Sequence, residues 1–143
     1  MIPIEFPSFH FSIKKEEDKE WIFDGIRKKW VRLTPEEWVR QNMIQYLIQV
    51  KKYPASLMAV EKEIRLGELK KRIDILVYKE SKPWMIIECK ETTVALSEAV
   101  IRQILAYHIT LDTPYLLITN GESNFAFQIE DGKISMIPTL PEF

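Results

Sequence analysis

The 143 residues are 46% hydrophobic and 11% aromatic, enough to close one buried core in a chain of ordinary single-domain length. A net charge of −1 excludes a strongly basic nucleic-acid binder overall, and one cysteine, Cys89, excludes internal disulfides and cysteine-rich zinc sites. No apolar run approaches the length that spans a bilayer, and the opening MIPIEFPSFHF has no basic stretch leading into an apolar one, so a cytoplasmic chain with no membrane partner is expected.

Charge is uneven, with 15 Lys/Arg against 11 Asp/Glu in residues 1–72 and 5 against 10 in residues 73–143. A basic face would have to come from the first half (Lys28, Lys29, Arg32, Arg40, Lys51, Lys52, Lys70, Lys71 and Arg72), although on charge alone a solvated surface accounts for these residues. A first strand is expected near residues 5–12, and KKEEDKE at 14–20 should be exposed. WIFD and KKWVRL flank the turn signal Asp24-Gly25, which predicts a β-hairpin across 21–33. Thr34-Pro35-Glu36-Glu37 then starts a helix: Thr34 caps, Pro35 suits the first helical position, and Glu37 completes a capping box. Val39, Met43, Tyr46, Leu47 and Val50 recur at helical spacing, and the helix should end near Lys52, before Pro54.

Residues 57–66 alternate as a strand does, with Val60, Lys62, Ile64 and Leu66 on one side. Gly67-Glu68 turns the chain into a strand at 72–78. Ser81-Lys82-Pro83 turns it again into a strand at 84–90, whose apolar run fits a buried central place. Ser97 caps a second helix with Glu98 at its positive end, and Val100, Ile104, Tyr107 and Leu111 should face the core. A strand at 115–119, a turn at Asn120-Gly121 and a closing hairpin about Asp131-Gly132 complete the chain. The core order is helix–strand–strand–strand–helix–strand, an α/β arrangement.

Side chains alternate across a strand, so Glu88 and Lys90 share a face while Cys89 takes the other. If strands 72–78 and 84–90 pair, Asp74 meets the Glu88–Lys90 end. Two carboxylates and an ammonium then gather at one spot. Mg²⁺, or Mn²⁺ in its place, takes oxygen ligands, commonly one or two carboxylates with water and substrate phosphate. Asp74 and Glu88 can supply them, with the Cys89 backbone carbonyl as a further oxygen. Lys90 can orient water or stabilise charge on phosphate. Glu-x-Lys alone is a weak motif, and a solvated salt bridge at a strand end is its plain alternative. The apolar strand before it, the Asp upstream, and Gln103 and Tyr107 one turn apart on the following helix strengthen it.

Asp74, Glu88-Cys89-Lys90 and Gln103-x-x-x-Tyr107 together resemble the PD-(D/E)XK nuclease superfamily. LTPEEWVRQ, RIDILVY, IIECK, RQILAYH and LLITNG resemble, within it, the N-terminal domain of type I restriction enzyme R subunits, over about residues 22–128. The resemblance implies a restriction-endonuclease-like three-layer α/β/α fold with a central mixed sheet, here with an added N-terminal β-hairpin. On this division residues 1–33 are the extension and 34–143 the nuclease-like core of one domain. It also implies Mg²⁺-dependent cleavage of DNA, with Asp74 and Glu88 as metal ligands, Lys90 as a catalytic residue, and Gln103 and Tyr107 near the metal or the DNA. Glu37 matches an acidic helix position that sometimes joins such a site. Ile73 stands where the superfamily's motif has proline. The sequence shows no motor or specificity module, so a separate subunit, or a homodimer partner, is expected to supply what these residues lack.

Several residues keep two readings. Glu61 is a candidate further ligand, or with Glu63 an exposed strand face. Arg72, placed on the same side as Asp74, contacts phosphate or pairs with a carboxylate. Glu37 has a sufficient task in the capping box. Neither His10 nor His108 is assigned to a metal, and Cys89 is a small core residue. Trp21, Phe23 and Trp30 could stack bases, though packing of the hairpin explains them too. An inactive nucleic-acid-binding or protein-interaction domain of the same fold is the alternative to a nuclease.

Overall fold

The computed structural model describes residues 1–143 and arranges nine strands in two sheets, of three and six strands, with two main helices. No helix is long and apolar enough to cross a membrane.

The smaller sheet is an antiparallel meander of β1 (Ile13–Glu16), β2 (Lys19–Asp24) and β3 (Lys29–Arg32). The hairpin predicted across 21–33 forms as β2 and β3. Its connection is wider than Asp24-Gly25, because the Asp24 carboxylate gathers the turn by accepting from the backbone N–H of Ile26 (2.7 Å) and Arg27 (2.9 Å). The strand expected near 5–12 does not form, and Ile13–Glu16, which overlaps the stretch 14–20 expected to be exposed, supplies a third strand instead. The N-terminal segment docks as coil: Ile2 donates its N–H to the Asn124 carbonyl, and Ile2 and Ile4 are buried in the core.

Helix α1 (Pro35–Gln45) begins as the sequence predicts, with Thr34 Oγ1 accepting from Glu37 N–H at 3.1 Å. The reciprocal half of the capping box is not made, because the Glu37 side chain turns inward to two arginines. The last turn, Tyr46–Val50, widens to a π-turn, with Lys51 N–H reaching the Tyr46 carbonyl, and Pro54 follows.

The larger sheet has the order β4-β5-β6-β7-β8-β9, from β4 (Met58–Leu66), β5 (Leu69–Lys79), β6 (Lys82–Cys89), β7 (Tyr115–Thr119), β8 (Asn124–Glu130) and β9 (Lys133–Ile137). Only β6 and β7 run parallel, joined by a crossover through α2 (Glu98–His108); every other neighbouring pair is antiparallel. The turn before β6 is Glu80-Ser81, both with positive φ, so Pro83 lies inside the strand and β5 and β6 are longer than predicted.

Each helix covers its own apolar cluster. Val39, Met43, Ile44 and Leu47 of the first helical segment pack with Ile75, Val77, Met85, Ile87 and Leu117. Ile104 of α2 packs with Leu76, Ile86, Leu116, Ile118 and Phe127. Alternate residues of β6 and β7 thus feed opposite cores, which is why these strands are apolar throughout. At about 1.5–3 kcal/mol for each fully buried aliphatic side chain, these two layers dominate the stability of the fold. One predicted helix face is corrected. His108, a full turn after Ile104, takes the buried position, and Tyr107 is left 44% exposed.

The β4–β5 ladder breaks at one point. Val60 pairs with Ile75 and Lys62 with Ile73, but Glu61, at φ +56°, and Asp74 drop out between them. Ile73 belongs to the α2-side core and Ile75 to the α1-side core, whereas an unbroken strand would put both on one face. Asp74 sits at this reversal.

Candidate active site

The pairing of Ile75 with Ile87, carried one step on, sets Asp74 opposite Glu88 at the end of β6. The Cys89 N–H donates to Asp74 Oδ2 at 2.8 Å, fixing the carboxylate against the neighbouring strand. The Cys89 side chain is buried in the α1-side core, and burial pushes its thiol well above the usual range, so it is inert packing.

Glu88 points to the α2 side. Lys90 Nζ lies 3.5 Å from Glu88 Oε1, and His108 Nε2 lies 3.3 Å from Glu88 Oε2. A carboxylate only accepts, so Nε2 carries the hydrogen in that contact, while Nδ1 is enclosed with no partner. Glu88, Lys90, Gln103, Tyr107, His108 and Arg72 line one open cleft of about 540 Å³. Gln103 makes no side-chain hydrogen bond across it, and Lys71 Nζ stands 4.4 Å over the Tyr107 ring. The spacing of Gln103 and Tyr107 therefore brings them to Glu88 and Lys90, as the sequence predicts.

Asp74 does not line that cleft; the break at Glu61 turns it toward α1. There Arg40, 4% exposed, is surrounded by carboxylates. Its Nη1 lies 2.9 Å from Glu61 Oε1 and 3.7 Å from Asp74 Oδ1, and its Nε lies 3.0 Å from Glu37 Oε2 without pointing at it. Glu37 also takes Arg27 Nη2 at 2.8 Å and Gln41 Nε2 at 3.1 Å, and Arg27 Nε reaches Asp24 at 2.6 Å. A chain of opposite charges thus runs from the small sheet to the site: Asp24, Arg27, Glu37, Arg40, Asp74. Glu61 pairs with Arg72 as well as Arg40.

The charges respond to this arrangement. Burial first, and the charge of Glu88 second, push the Asp74 carboxyl up to about 7, and the Cys89 N–H and Arg40 do not offset them. Burial would also raise Glu61, but its two arginines hold it below its ordinary value. Asp24, despite burial, is held low by the backbone and guanidinium of Arg27. No three His, Cys, Asp or Glu side chains converge as a ready-made metal cage. The donors present are two carboxylates, which suit a hard cation that keeps much of its water.

The sequence reading missed Arg40 and His108 as site residues. Arg40 was grouped with surface cations, although its place three residues after Glu37, among the apolar positions of the helix, was a signal. His108 continues the apolar spacing from Ile104, which marked it for burial.

The family model for the type I restriction enzyme R protein N terminus (HSDR_N) matches residues 35–141, from the first residue of α1 almost to the chain's end. No curated protein matches the chain.

Proposed function

The chain belongs to the type I restriction enzyme R protein N-terminus family, and from that premise we propose that it hydrolyses phosphodiester bonds of nucleic acid, DNA ahead of RNA, with a divalent metal ion. The observation that carries the proposal is that Asp74 and Glu88 stand opposite one another on β5 and β6, close enough for the charge of Glu88 to act on Asp74, with Lys90 beside Glu88 and a cleft open to solvent along Glu88 and Lys90. This residue set resembles that of the PD-(D/E)XK nucleases, whose three-layer fold is the finer architecture proposed for residues 34–143, with 1–33 as an extension.

Asp74 and Glu88, with the Cys89 carbonyl, would hold Mg²⁺ or Mn²⁺, a cation relieving the repulsion between the two carboxylates. The bound metal supplies a more acidic water and a polarised phosphate. Lys90 holds an ammonium over the cleft, where it orients the attacking water or meets charge developing on phosphate oxygens. The Cys89 N–H fixes one oxygen of Asp74. The His108 ring fixes one oxygen of Glu88, leaving its other side to Lys90. Gln103 and Tyr107 offer an amide and a hydroxyl to the strand in the cleft. Glu37 and Glu61 act through Arg40 rather than as ligands. Other subunits of a restriction system, for movement or sequence choice, are the partners proposed.

A second reading has its own support. Asp74 already has the cation Arg40 near it and Glu88 has Lys90, with the His108 ring against its other oxygen, as in an inactive domain that keeps the fold and binds DNA or another subunit. Calorimetric titration with Mn²⁺, followed by incubation with DNA and RNA in Mg²⁺ and in Mn²⁺, separates the two. Binding by wild type and not by Asp74→Ala/Glu88→Ala, with cleavage lost in Lys90→Ala, is the expected result. No cleavage of any nucleic acid in either metal, with DNA binding indifferent to Lys90→Ala, would give the second reading the site.

A further inference from the structure

The small sheet lies outside the family-matched residues, and one of its faces is unlike a packing surface. Strand alternation and register put Trp21 and Phe23 on the same side of β2, with Arg32 and Trp30 directly across on β3 and Lys14 across on β1. The opposite side carries Ile22 and Asp24, both fully buried, so this is the face that anchors the sheet to the molecule. The aromatic side belongs to neither apolar core, and Phe23 and Trp30 are 39% and 37% exposed.

Cations frame these rings. Lys14 Nζ stands 4.6 Å over the Trp30 ring and the Arg32 guanidinium 5.7 Å over Trp21. Arg32 and Lys19 pair with no carboxylate, and Lys14 pairs only with the exposed Glu16. Glu16 stands across from Lys19 on this face, and an apolar protein partner would have to strip water from Arg32 and Lys19, which no carboxylate pairs. A single nucleic-acid strand would instead supply flat bases for the rings and phosphates for the cations. A duplex keeps its bases stacked on one another and offers only the phosphates.

We propose that the Trp21–Phe23–Trp30 face of the small sheet is a stacking platform for unpaired bases of a single strand, with Lys14, Lys19 and Arg32 taking its phosphates. This deepens the nucleic-acid reading of the chain and rests on it. The platform is coupled to the site by buried contacts: Asp24 holds Arg27, Arg27 holds Glu37, and Arg40 links Glu37 to Asp74.

Fluorescence anisotropy of the full chain at low salt tests this, with a labelled oligothymidylate and a blunt duplex of equal length as the two probes. Trp30→Ala and Phe23→Ala should each weaken oligothymidylate binding at least about fivefold, the lower end of what losing one stacked base costs, and leave the duplex nearly unaffected. Trp30→Phe should restore much of the binding and Trp30→Leu should not. Arg32→Gln, which leaves the rings in place, should weaken binding and flatten its salt dependence, and it carries the test if Trp30→Ala misfolds by circular dichroism. Equal oligothymidylate binding by wild type and the aromatic variants, or binding of the duplex only, overturns the platform while the nucleic-acid reading stands. No binding of either probe at low salt overturns both. A dimer in light scattering that Trp30→Ala dissolves assigns the face to a second copy instead.

Discussion

Replacing Arg40 by Met tests whether a buried guanidinium holds the carboxylates of the site together. Met keeps much of the apolar length of the side chain, so little packing is lost. What disappears is the positive charge 3.0 Å from Glu37, 2.9 Å from Glu61 and 3.7 Å from Asp74. Removing one partner of a buried ion pair costs about 3–5 kcal/mol, because the other charge stays desolvated. Here Glu37 keeps Arg27 and Gln41, and Glu61 keeps Arg72, so Asp74 alone loses its cation. The lower end, about 3 kcal/mol, is therefore expected. For 143 residues that corresponds to a fall of about 10 °C in Tm, at roughly 3 °C per kcal/mol. Urea unfolding of the metal-free protein at pH 8.5, where Asp74 is ionised, should show a lower midpoint at unchanged slope. Arg40→Met/Asp74→Asn should recover a large part of the loss, since a neutral amide needs no counter-charge. A loss under about 1 kcal/mol in the single variant, the size of an ordinary substitution, or no recovery in the double variant, would refute Arg40 as the counter-ion of Asp74.

Two further expectations concern pH. The Asp74 carboxyl is raised in the folded state to about 7 from an ordinary 3.8, so the stability it contributes is present below its unfolded value and lost as pH rises through the folded one. Metal-free Asp74→Asn should accordingly gain on wild type between pH 5 and pH 8.5, by something on the order of 2 kcal/mol, and bind no Mn²⁺; a constant difference across that range would count against the shift. Asp24 has the opposite sign: held below its ordinary value, it stabilises the fold above that value and ceases to as pH falls through the folded one. Asp24→Asn should cost about 2 kcal/mol at pH 7, for weakened charge-assisted bonds to Arg27 and its turn, and the gap should narrow in thermal melts as pH falls below the ordinary carboxylate range. A gap that widens in acid would contradict the assignment.

Much of the site was legible because it depends on neighbours in sequence. Glu88 and Lys90 share a face by strand alternation, and the short turn between β5 and β6 sets Asp74 opposite Glu88 in register, although its side chain turns toward α1. Gln103 and Tyr107 reach the same cleft because they are one helical turn apart. The capping residues Thr34 and Ser97 act where the sequence placed them, since a cap is satisfied within three residues. The strand expected near residues 5–12 fails for the complementary reason. The segment lies as coil because its aromatic residues pack on distant elements, Phe6 against the α1-side core and Phe11 against Trp38 of α1.

The core order of helix, three strands, helix and strand, the apolar face of α1 and the shared face of Glu88 and Lys90 were thus determined by the sequence itself, through alternation, helical spacing and turn chemistry that act over a few residues. Tertiary structure alone decided the rest. Asp74 turns from the cleft toward α1 because β5 reverses its faces opposite Glu61. Arg40 becomes a buried hub rather than a surface cation because carboxylates from α1, β4 and β5 converge on it. His108, not Tyr107, is buried because the sheet covers one side of α2. The small sheet joins the site through Arg27, which meets Glu37 ten residues away, and through Gln41, which donates to Asp24. Each of these outcomes depends on which distant segment covers a side chain, and burial by a distant segment leaves no local pattern to read.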